Sequence, residues 1–238
     1  SVSAPQATVL YTADHGGLNG NHRLRGKGSA MYEENIRVPL IAAGGAVAST
    51  PAVYHRPVSQ ISITPTILDF FSVPGTQYIE GESLLPVFRS PEKLIGEHVF
   101  VEFSRFQITR DTFGGFQPTR CVRNKRYKLV INMMDRDELY DLEADPGELG
   151  NLIDSPEHAA ARDALHDVLL NWMDETLDPF RGYQVSSRPW RHNRKPDWKQ
   201  SGLARQRWDE VYGTPSLRYD SAMPMTPDNR TYSQYERK

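Results

Sequence analysis

Ala7-Thr8-Val9-Leu10-Tyr11-Thr12-Ala13, followed by Asp14-His15-Gly16-Gly17, is the stretch that decides the fold. Its first seven residues are mostly apolar or β-branched, which is typical of a strand buried on both faces by helices in a parallel sheet. A second run of this kind covers residues 38–43. The 24 residues between the two runs are long enough for a crossover connection, so we expect parallel strands in an α/β unit. Pro39 limits the second strand to an early or edge position, because proline donates no ladder hydrogen bond.

The rest of the chain predicts two helices and a small antiparallel sheet. Apolar spacing favours a helix over residues 64–72, with Pro65 near its start. Residues 155–175 form the clearest helix, with Ser155 as N-cap, and we expect it to pack on the sheet. Short strand candidates at hairpin spacing follow the first helix, and they cover residues 98–103, 119–132 and 138–142.

These elements suggest three regions. We expect the C-terminal part of an α/β catalytic domain over residues 1–96, an antiparallel subdomain with its helix over 97–180, and a tail over 181–238. The tail carries 12 basic and 6 acidic residues. Such a charge would suit a nucleic-acid-binding arm, but we prefer an extended tail that wraps over the acidic body.

The composition excludes several classes of protein. With 238 residues, 38% of them hydrophobic and 24% charged, the chain is globular rather than disordered. A net charge of -2 gives no electrostatic reason to expect nucleic acid as the main ligand. Cys121 is the single cysteine, so neither an intrachain disulfide framework nor a cysteine-based zinc site is possible. No apolar run approaches the roughly 20 residues that cross a bilayer.

Asp14 and His15 are candidate metal ligands. They follow a predicted strand, at the carboxyl end where open α/β sheets bind their ligands. Adjacent residues of a regular strand point to opposite faces, so both can reach one ion only if the backbone turns, which Gly16-Gly17 permits. A strand-terminal aspartate that merely caps the backbone is the alternative.

Gly26-Lys27-Gly28 places a lysine between two glycines in the connection that leaves the same strand end. An ammonium group with three donors suits an oxyanion such as sulfate or phosphate, and the flanking glycines let the backbone come close. An ordinary solvated lysine in a flexible loop is the alternative.

Six ordered motifs resemble the C-terminal half of the sulfatase family, within the alkaline phosphatase superfamily. The resemblance covers about residues 7–180, and two segments, ILDFFSVP at 67–74 and WMDETLDPF at 172–180, look most like heparan N-sulfatase and bacterial arylsulfatases. The six motifs are LYTADHG at 10–16, GKG at 26–28, YEENIRVPLI at 32–41, TPTILD at 64–69, GESLLP at 81–86 and ELYDLEADPGELGNL at 138–152.

The resemblance implies roles for four residues. Asp14 and His15 match two ligands of a calcium ion, and the histidine makes Mn²⁺ or another divalent ion an alternative. Lys27 matches the lysine that holds the sulfate oxygens and stabilises charge in the transition state. His22 lies between them in sequence and either faces the substrate or is a solvent-facing loop residue. The motif at residues 138–152 is interpreted as architecture.

The resemblance also implies a formylglycine nucleophile, made from Cys or Ser in a C/S-x-P-x-R motif. We expect this chain to lack that motif, because Val122-Arg123-Asn124 follows Cys121 and Ser3-Ala4-Pro5-Gln6-Ala7 has no arginine. The nucleophile and two further metal carboxylates would then lie N-terminal to Ser1, in the other half of the enzyme.

We therefore expect a fragment of a sulfuric ester or sulfamate hydrolase, inactive alone, whose substrate is a sulfated small molecule or glycan. A phosphonate monoester or phosphodiester hydrolase, or a non-catalytic glycan-binding module, are the alternatives. Such enzymes suggest a periplasmic, secreted or lysosomal-type compartment.

Overall fold

The computed structural model describes residues 7–75, 79–106, 108–109 and 115–192. The chain divides into two compact units between Leu169 and Leu170. Most of the proposed tail, from residue 193 onward, lies outside the described residues. Within the described ranges, no helix has the length and apolar character needed to cross a membrane.

The first two strands pair antiparallel, so the expectation of a parallel crossover was wrong. Strands β1 (Thr8–Thr12) and β2 (Leu40–Gly44) align with Thr8 opposite Gly44 and Thr12 opposite Leu40. Besides a 3-10 turn at Asn21–Arg23, their connection contains one helix, the four-residue α1 (Glu33–Ile36), which is too short to carry the chain across a sheet. Instead the connection folds back on itself, because the N–H groups of Gly16 and Gly17 donate to the carbonyl groups of Asn35 and Glu34 at 2.9 and 2.8 Å.

Within these residues, one face of the two-stranded sheet is exposed, whereas the sequence predicts strands buried on both faces. Val9, Tyr11 and Ile41 are each more than half exposed. Tyr11 and Ile41 are direct partners across the two strands. Pro39 immediately precedes β2, as its missing N–H predicts.

Two helices account for two of the sequence motifs. Helix α2 (Ile63–Phe70) confirms the predicted helix, and helix α3 (Leu85–Arg89) begins within the GESLLP segment at residues 81–86. The buried Thr66 hydroxyl donates to the Ser62 carbonyl and accepts the Leu84 N–H at 2.8 Å. Because Ser83 also donates to Asp69 at 2.7 Å, both motifs are explained by the contact between these helices.

The predicted antiparallel sheet is present, with four strands in the order in which they occur in the chain. The candidate at residues 119–132 is two strands, because the Asn124 side chain accepts the N–H groups of Arg126 and Tyr127 in a tight turn. The strands are β3 (Val99–Arg105), β4 (Phe116–Arg123), β5 (Tyr127–Asn132) and β6 (Glu138–Asp141).

A buried ionic cluster joins α1 to this sheet. Lys128 on β5 has a fully buried side chain, which forms ion pairs with Glu33 of α1, at 3.2 Å, and with Glu148. Arg123 on β4 donates to both carboxylate oxygens of Glu33 at 3.0 and 3.3 Å. Glu148 also accepts the Glu33 backbone N–H at 2.7 Å. Burial raises the pKa of Glu148, an effect that the Lys128 ammonium opposes.

The motif at residues 138–152 has the expected architectural contacts. Arg126 binds the buried Asp141 carboxylate through two nitrogens, at 3.0 and 2.7 Å, and this lowers the Asp141 pKa. The Asn151 side chain donates to the Asp137 carbonyl and accepts the N–H groups of Leu139 and Ile153. These bonds close the turn after β6.

An apolar cluster lies between the first connection and the sheet. Met31 packs with Cys121 and Val130, and Ile36 and Phe103 pack against this group. Burial raises the pKa of the Cys121 thiol to about 12.

The clearest predicted helix is also present, as α4 (Ala159–Glu175), which follows a 3-10 turn at Pro156–His158. Leu165, His166 and Leu169 are buried in the first unit. In the second unit, Met173, Val185 and Trp190 are buried, and a short helix α5 covers Tyr183–Ser186.

Replacing Lys128 tests the buried cluster. Lys128→Met leaves the Glu148 carboxylate buried without its ammonium partner, so the full-length protein should lose about 3–5 kcal/mol of stability in urea unfolding. The loss should shrink at lower pH, since protonated Glu148 carries no charge. Lys125→Met, at an exposed position in the same hairpin, should change stability by less than about 0.5 kcal/mol. Equal stability of the two variants would contradict the buried ion pair between Lys128 and Glu148.

Candidate active site

Three of the four residues singled out from the sequence lie together. Asp14, His15 and Lys27 line one wide groove of the first unit, and Glu33 and Arg123 line it as well. The groove therefore carries a carboxylate, an imidazole and an ammonium group, next to the outer members of the buried ionic cluster.

The turn after β1 brings the Asp14 and His15 side chains to the same side. The Oδ2 atom of Asp14 lies 3.4 Å from the Nε2 atom of His15. The other carboxylate oxygen accepts the His15 backbone N–H at 3.0 Å. The Nδ1 atom of His15 lies 2.7 Å from the carbonyl oxygen of Gly16, which can only accept a hydrogen bond. Nδ1 therefore carries the proton, and Nε2 keeps a free lone pair in the neutral ring.

The Lys27 ammonium reaches this lone pair. Its Nζ atom lies 2.5 Å from Nε2 of His15, so the lysine donates to the imidazole. Gly26, before the lysine, has a φ of 80°, a left-handed conformation that glycine adopts without strain. Its carbonyl accepts the Leu18 N–H at 2.9 Å, which fixes that end of the loop.

Asn35 of α1 connects the two loops. Its buried side-chain amide donates to the carbonyl groups of Gly28 and Ala30 at 3.0 and 2.7 Å, and its backbone carbonyl accepts the Gly16 N–H at 2.9 Å. Gln60 adds a second contact to this region, because its amide donates to the Ala13 carbonyl just before Asp14.

His22 lies elsewhere. Its ring stacks on Tyr32, with ring centroids 3.5 Å apart and an angle of 4° between the planes. Its Nε2 atom is 3.9 Å from a carboxylate oxygen of Glu34, and only 11% of the side chain is exposed. His22 is thus neither solvent-facing nor among the residues that line the groove with Lys27.

The donor set fits one part of a metal site. A histidine that ligates a metal commonly donates its other ring N–H to a carbonyl, as His15 does. A carboxylate oxygen beside the imidazole suits a divalent cation. Among the described residues, no group of three or more His, Cys, Asp or Glu side chains could hold a metal ion. Asp14 and His15 can therefore supply two ligands, and a complete site needs others.

One string does have the spacing of the nucleophile motif, contrary to the expectation that the chain contains none. Ser187-Arg188-Pro189-Trp190-Arg191 matches S-x-P-x-R, in the second unit. Trp190 is buried, and the Arg191 N–H donates to the Arg188 carbonyl at 2.9 Å, so the string forms a turn after α5. We assign it a structural role, since a buried tryptophan and a closed turn account for its conformation.

The comparisons with known proteins identify the paired helices, the antiparallel sheet and the loops around Lys27 as the C-terminal part of an alkaline-phosphatase-like sulfatase. Residues 20–175 match the family described as N-sulphoglucosamine sulphohydrolase, C-terminal. The chain belongs to this family.

Similar proteins are sulfatases. The chain is 40% identical to the uncharacterized sulfatase YidJ of Escherichia coli (strain K12), over 91% of this chain and 41% of that protein. It is 27% identical to human arylsulfatase K, over 90% of this chain and 40% of that protein. The chain thus spans about two fifths of the length of these relatives.

Solved structures show the same likeness. A putative sulfatase from Bacteroides thetaiotaomicron has a TM-score of 0.68 and 26% identity, over 84% of this chain and 43% of that chain. The phosphonate monoester hydrolase of Agrobacterium radiobacter has a TM-score of 0.58 and 25% identity, over 71% and 35%.

The close approach of two backbones at Gly16 gives a test of the site. A Cβ at residue 16 would collide with the Glu34 carbonyl, whereas a Cβ at residue 17 would meet nothing closer than 3.7 Å. Gly16→Ala should therefore cost about 1–3 kcal/mol of stability, and Gly17→Ala less than about 0.5 kcal/mol. Thermal unfolding of the two full-length variants compares them directly. Equal unfolding temperatures would mean that the turn after β1 is looser than described.

Proposed function

We propose that the protein containing this chain hydrolyses sulfate esters or sulfamates, and that Asp14, His15 and Lys27 belong to its active site. The convergence of these three side chains at one side of the groove carries the proposal. Membership of a family of sulfohydrolases supports the same reaction class.

Lys27 would bind the oxygens of the sulfate group. Its ammonium has three donors and one positive charge, so it can neutralise charge that develops on these oxygens in the transition state. In this structure one donor is directed at His15. The side chain is therefore held at the edge of the site, and when a cation takes Nε2 this donor becomes available to the sulfate oxygens.

Asp14 and His15 would hold a divalent cation, with calcium as the first candidate and manganese as the second. The Nδ1–H bond to Gly16 orients the imidazole and leaves Nε2 for the ion. When present, the cation supplies charge neutralisation at the sulfate group, and a formylglycine supplies the nucleophile. We propose that this nucleophile and the remaining ligands come from a part of the protein outside these 238 residues. That His22 contacts the substrate stays a prediction.

Lys27→Ala tests the catalytic proposal. In the full-length protein, turnover of an aryl sulfate should fall by about 10²-fold or more, as expected for the loss of one preorganised donor. Lys125→Ala removes an exposed lysine from the β4–β5 turn and should leave the rate unchanged. Steady-state kinetics of both variants measure this difference, and unchanged turnover in Lys27→Ala would refute the role of Lys27.

The cation site has its own test. After chelator treatment, Asp14→Ala and His15→Ala proteins should bind added Ca²⁺ at least about tenfold more weakly in calorimetric titration. His15→Ala should weaken Mn²⁺ more than Ca²⁺, since an imidazole nitrogen suits the transition ion better. Asp154→Ala removes an exposed carboxylate paired with Arg136 and serves as the control. Unchanged affinities in the first two variants would exclude these residues as ligands.

A second candidate is a phosphonate monoester hydrolase. The likeness to the Agrobacterium radiobacter enzyme favours this second activity. The sequence identity of that enzyme to this chain, 25%, is nearly the 26% of the Bacteroides thetaiotaomicron sulfatase structure. An ammonium and a divalent cation bind the oxygens of either group. The ratio of kcat/KM for matched aryl sulfate and aryl phosphonate esters separates the two activities, and a ratio favouring the phosphonate would replace our first assignment.

A further inference from the structure

We propose that Asn35 is a positioning residue, which holds the Lys27 loop (residues 26–28) so that the Lys27 ammonium faces His15. This inference rests on the proposed function of Lys27. It concerns a side chain to which the sequence analysis assigned no role, in a helix of only four residues.

The first step of the argument is the contact of Asn35 with the Lys27 loop. Its amide nitrogen donates to the Gly28 carbonyl at 3.0 Å and to the Ala30 carbonyl at 2.7 Å. Asn35 is only 6% exposed, so water does not compete for these bonds. Gly28 immediately follows Lys27, and one end of the loop is therefore tied to α1.

The second step is the contact of Asn35 with the turn after β1. The Asn35 backbone carbonyl, which Asn35→Ala retains, accepts the Gly16 N–H at 2.9 Å, and the Gly16 carbonyl in turn holds the Nδ1 atom of His15 at 2.7 Å. One residue thus binds the loop that carries the lysine and the turn that carries the imidazole.

The third step is the anchoring of α1 itself. Glu33, two residues before Asn35, is bound by Arg123 and by the buried Lys128 of the four-stranded sheet. The position of Asn35 is therefore fixed from outside the loops that it connects. Because the sheet holds α1 in place, the Asn35 amide can set the distance between Lys27 and His15.

The chemistry of the residue fits this role. Two carbonyl oxygens need a donor, which an amide provides and a carboxylate or methyl group does not. Loss of the amide frees the Gly28 end of the loop, while the Gly26 end keeps its bond from Leu18. The lysine would then sample positions in which its ammonium no longer faces the site.

A double-mutant cycle in the full-length enzyme tests the proposal. Asn35→Ala alone should lower kcat/KM for an aryl sulfate by about tenfold or more, because small misplacements of a charge-stabilising group are costly. In the Lys27→Ala background the same substitution should cost less than about threefold, since the group that it positions is gone. Equal losses in both backgrounds, or no loss in the first, would overturn the proposal.

Controls separate positioning from stability. Asn151→Ala removes another asparagine side chain that bridges backbone groups, but in the turn after β6. It should lower the unfolding temperature without lowering kcat/KM. Asn35→Ser, which keeps one donor, should lower kcat/KM less than Asn35→Ala does, and it replaces Asn35→Ala in the cycle if the alanine variant does not fold. A serine variant equal to the parent would overturn the need for two bonds.

A readout that does not depend on turnover completes the test. Acetylation of lysines by acetic anhydride, followed by mass spectrometry, should label Lys27 several-fold faster in Asn35→Ala than in the parent, relative to the exposed Lys125. Unchanged labelling would contradict the positioning role. If Lys27→Ala leaves turnover unchanged, the proposed function of Lys27 fails, and this inference fails with it. If Lys27→Ala lowers turnover but Asn35→Ala does not, the positioning role of Asn35 alone fails.

Discussion

The buried ion pairs of Lys128 are the interaction on which the rest of the structure depends. A lysine with no exposed surface is unfavourable unless its charge is matched, and here the two matching carboxylates come from distant parts of the chain. Glu33 belongs to the short helix α1, and Glu148 to the turn after β6. Lys128, the common partner, therefore holds α1 against the four-stranded sheet, although this helix is too short to be stable by itself.

This anchoring explains how an irregular segment can hold the side chains of the candidate site in place. The connection between β1 and β2 contains one short helix, and its loops would otherwise be mobile. Backbone bonds from Gly16 and Gly17 to α1, together with the Asn35 amide, transfer the rigidity of the sheet to these loops. The candidate site thus lies on loops, whereas the sheet that positions these loops lines the same groove with Arg123.

Much of this arrangement could be predicted from the sequence, and some of it could not. Turn residues and hairpin spacing located the antiparallel sheet, and the spacing of Asp14, His15 and Lys27 predicted residues that lie together. The direction of β2 could not be predicted, since the length of a connection permits a crossover without requiring one. The role of Asn35 had no sequence signal either, because a buried amide between two loops leaves no periodic pattern. The interpretation of His22 rested on its position in the chain, which carries no signal that its ring stacks on Tyr32.

The burial of Cys121 has a practical consequence for experiments on this protein. Thiol reagents react with the thiolate, and a buried thiol with a pKa of about 12 presents almost none at neutral pH. Within these 238 residues it is also the single cysteine. A cysteine introduced at an exposed position, such as residue 125, would therefore react with a maleimide dye in preference to Cys121. Fluorescence could then follow changes at the β4–β5 turn without first removing the native thiol.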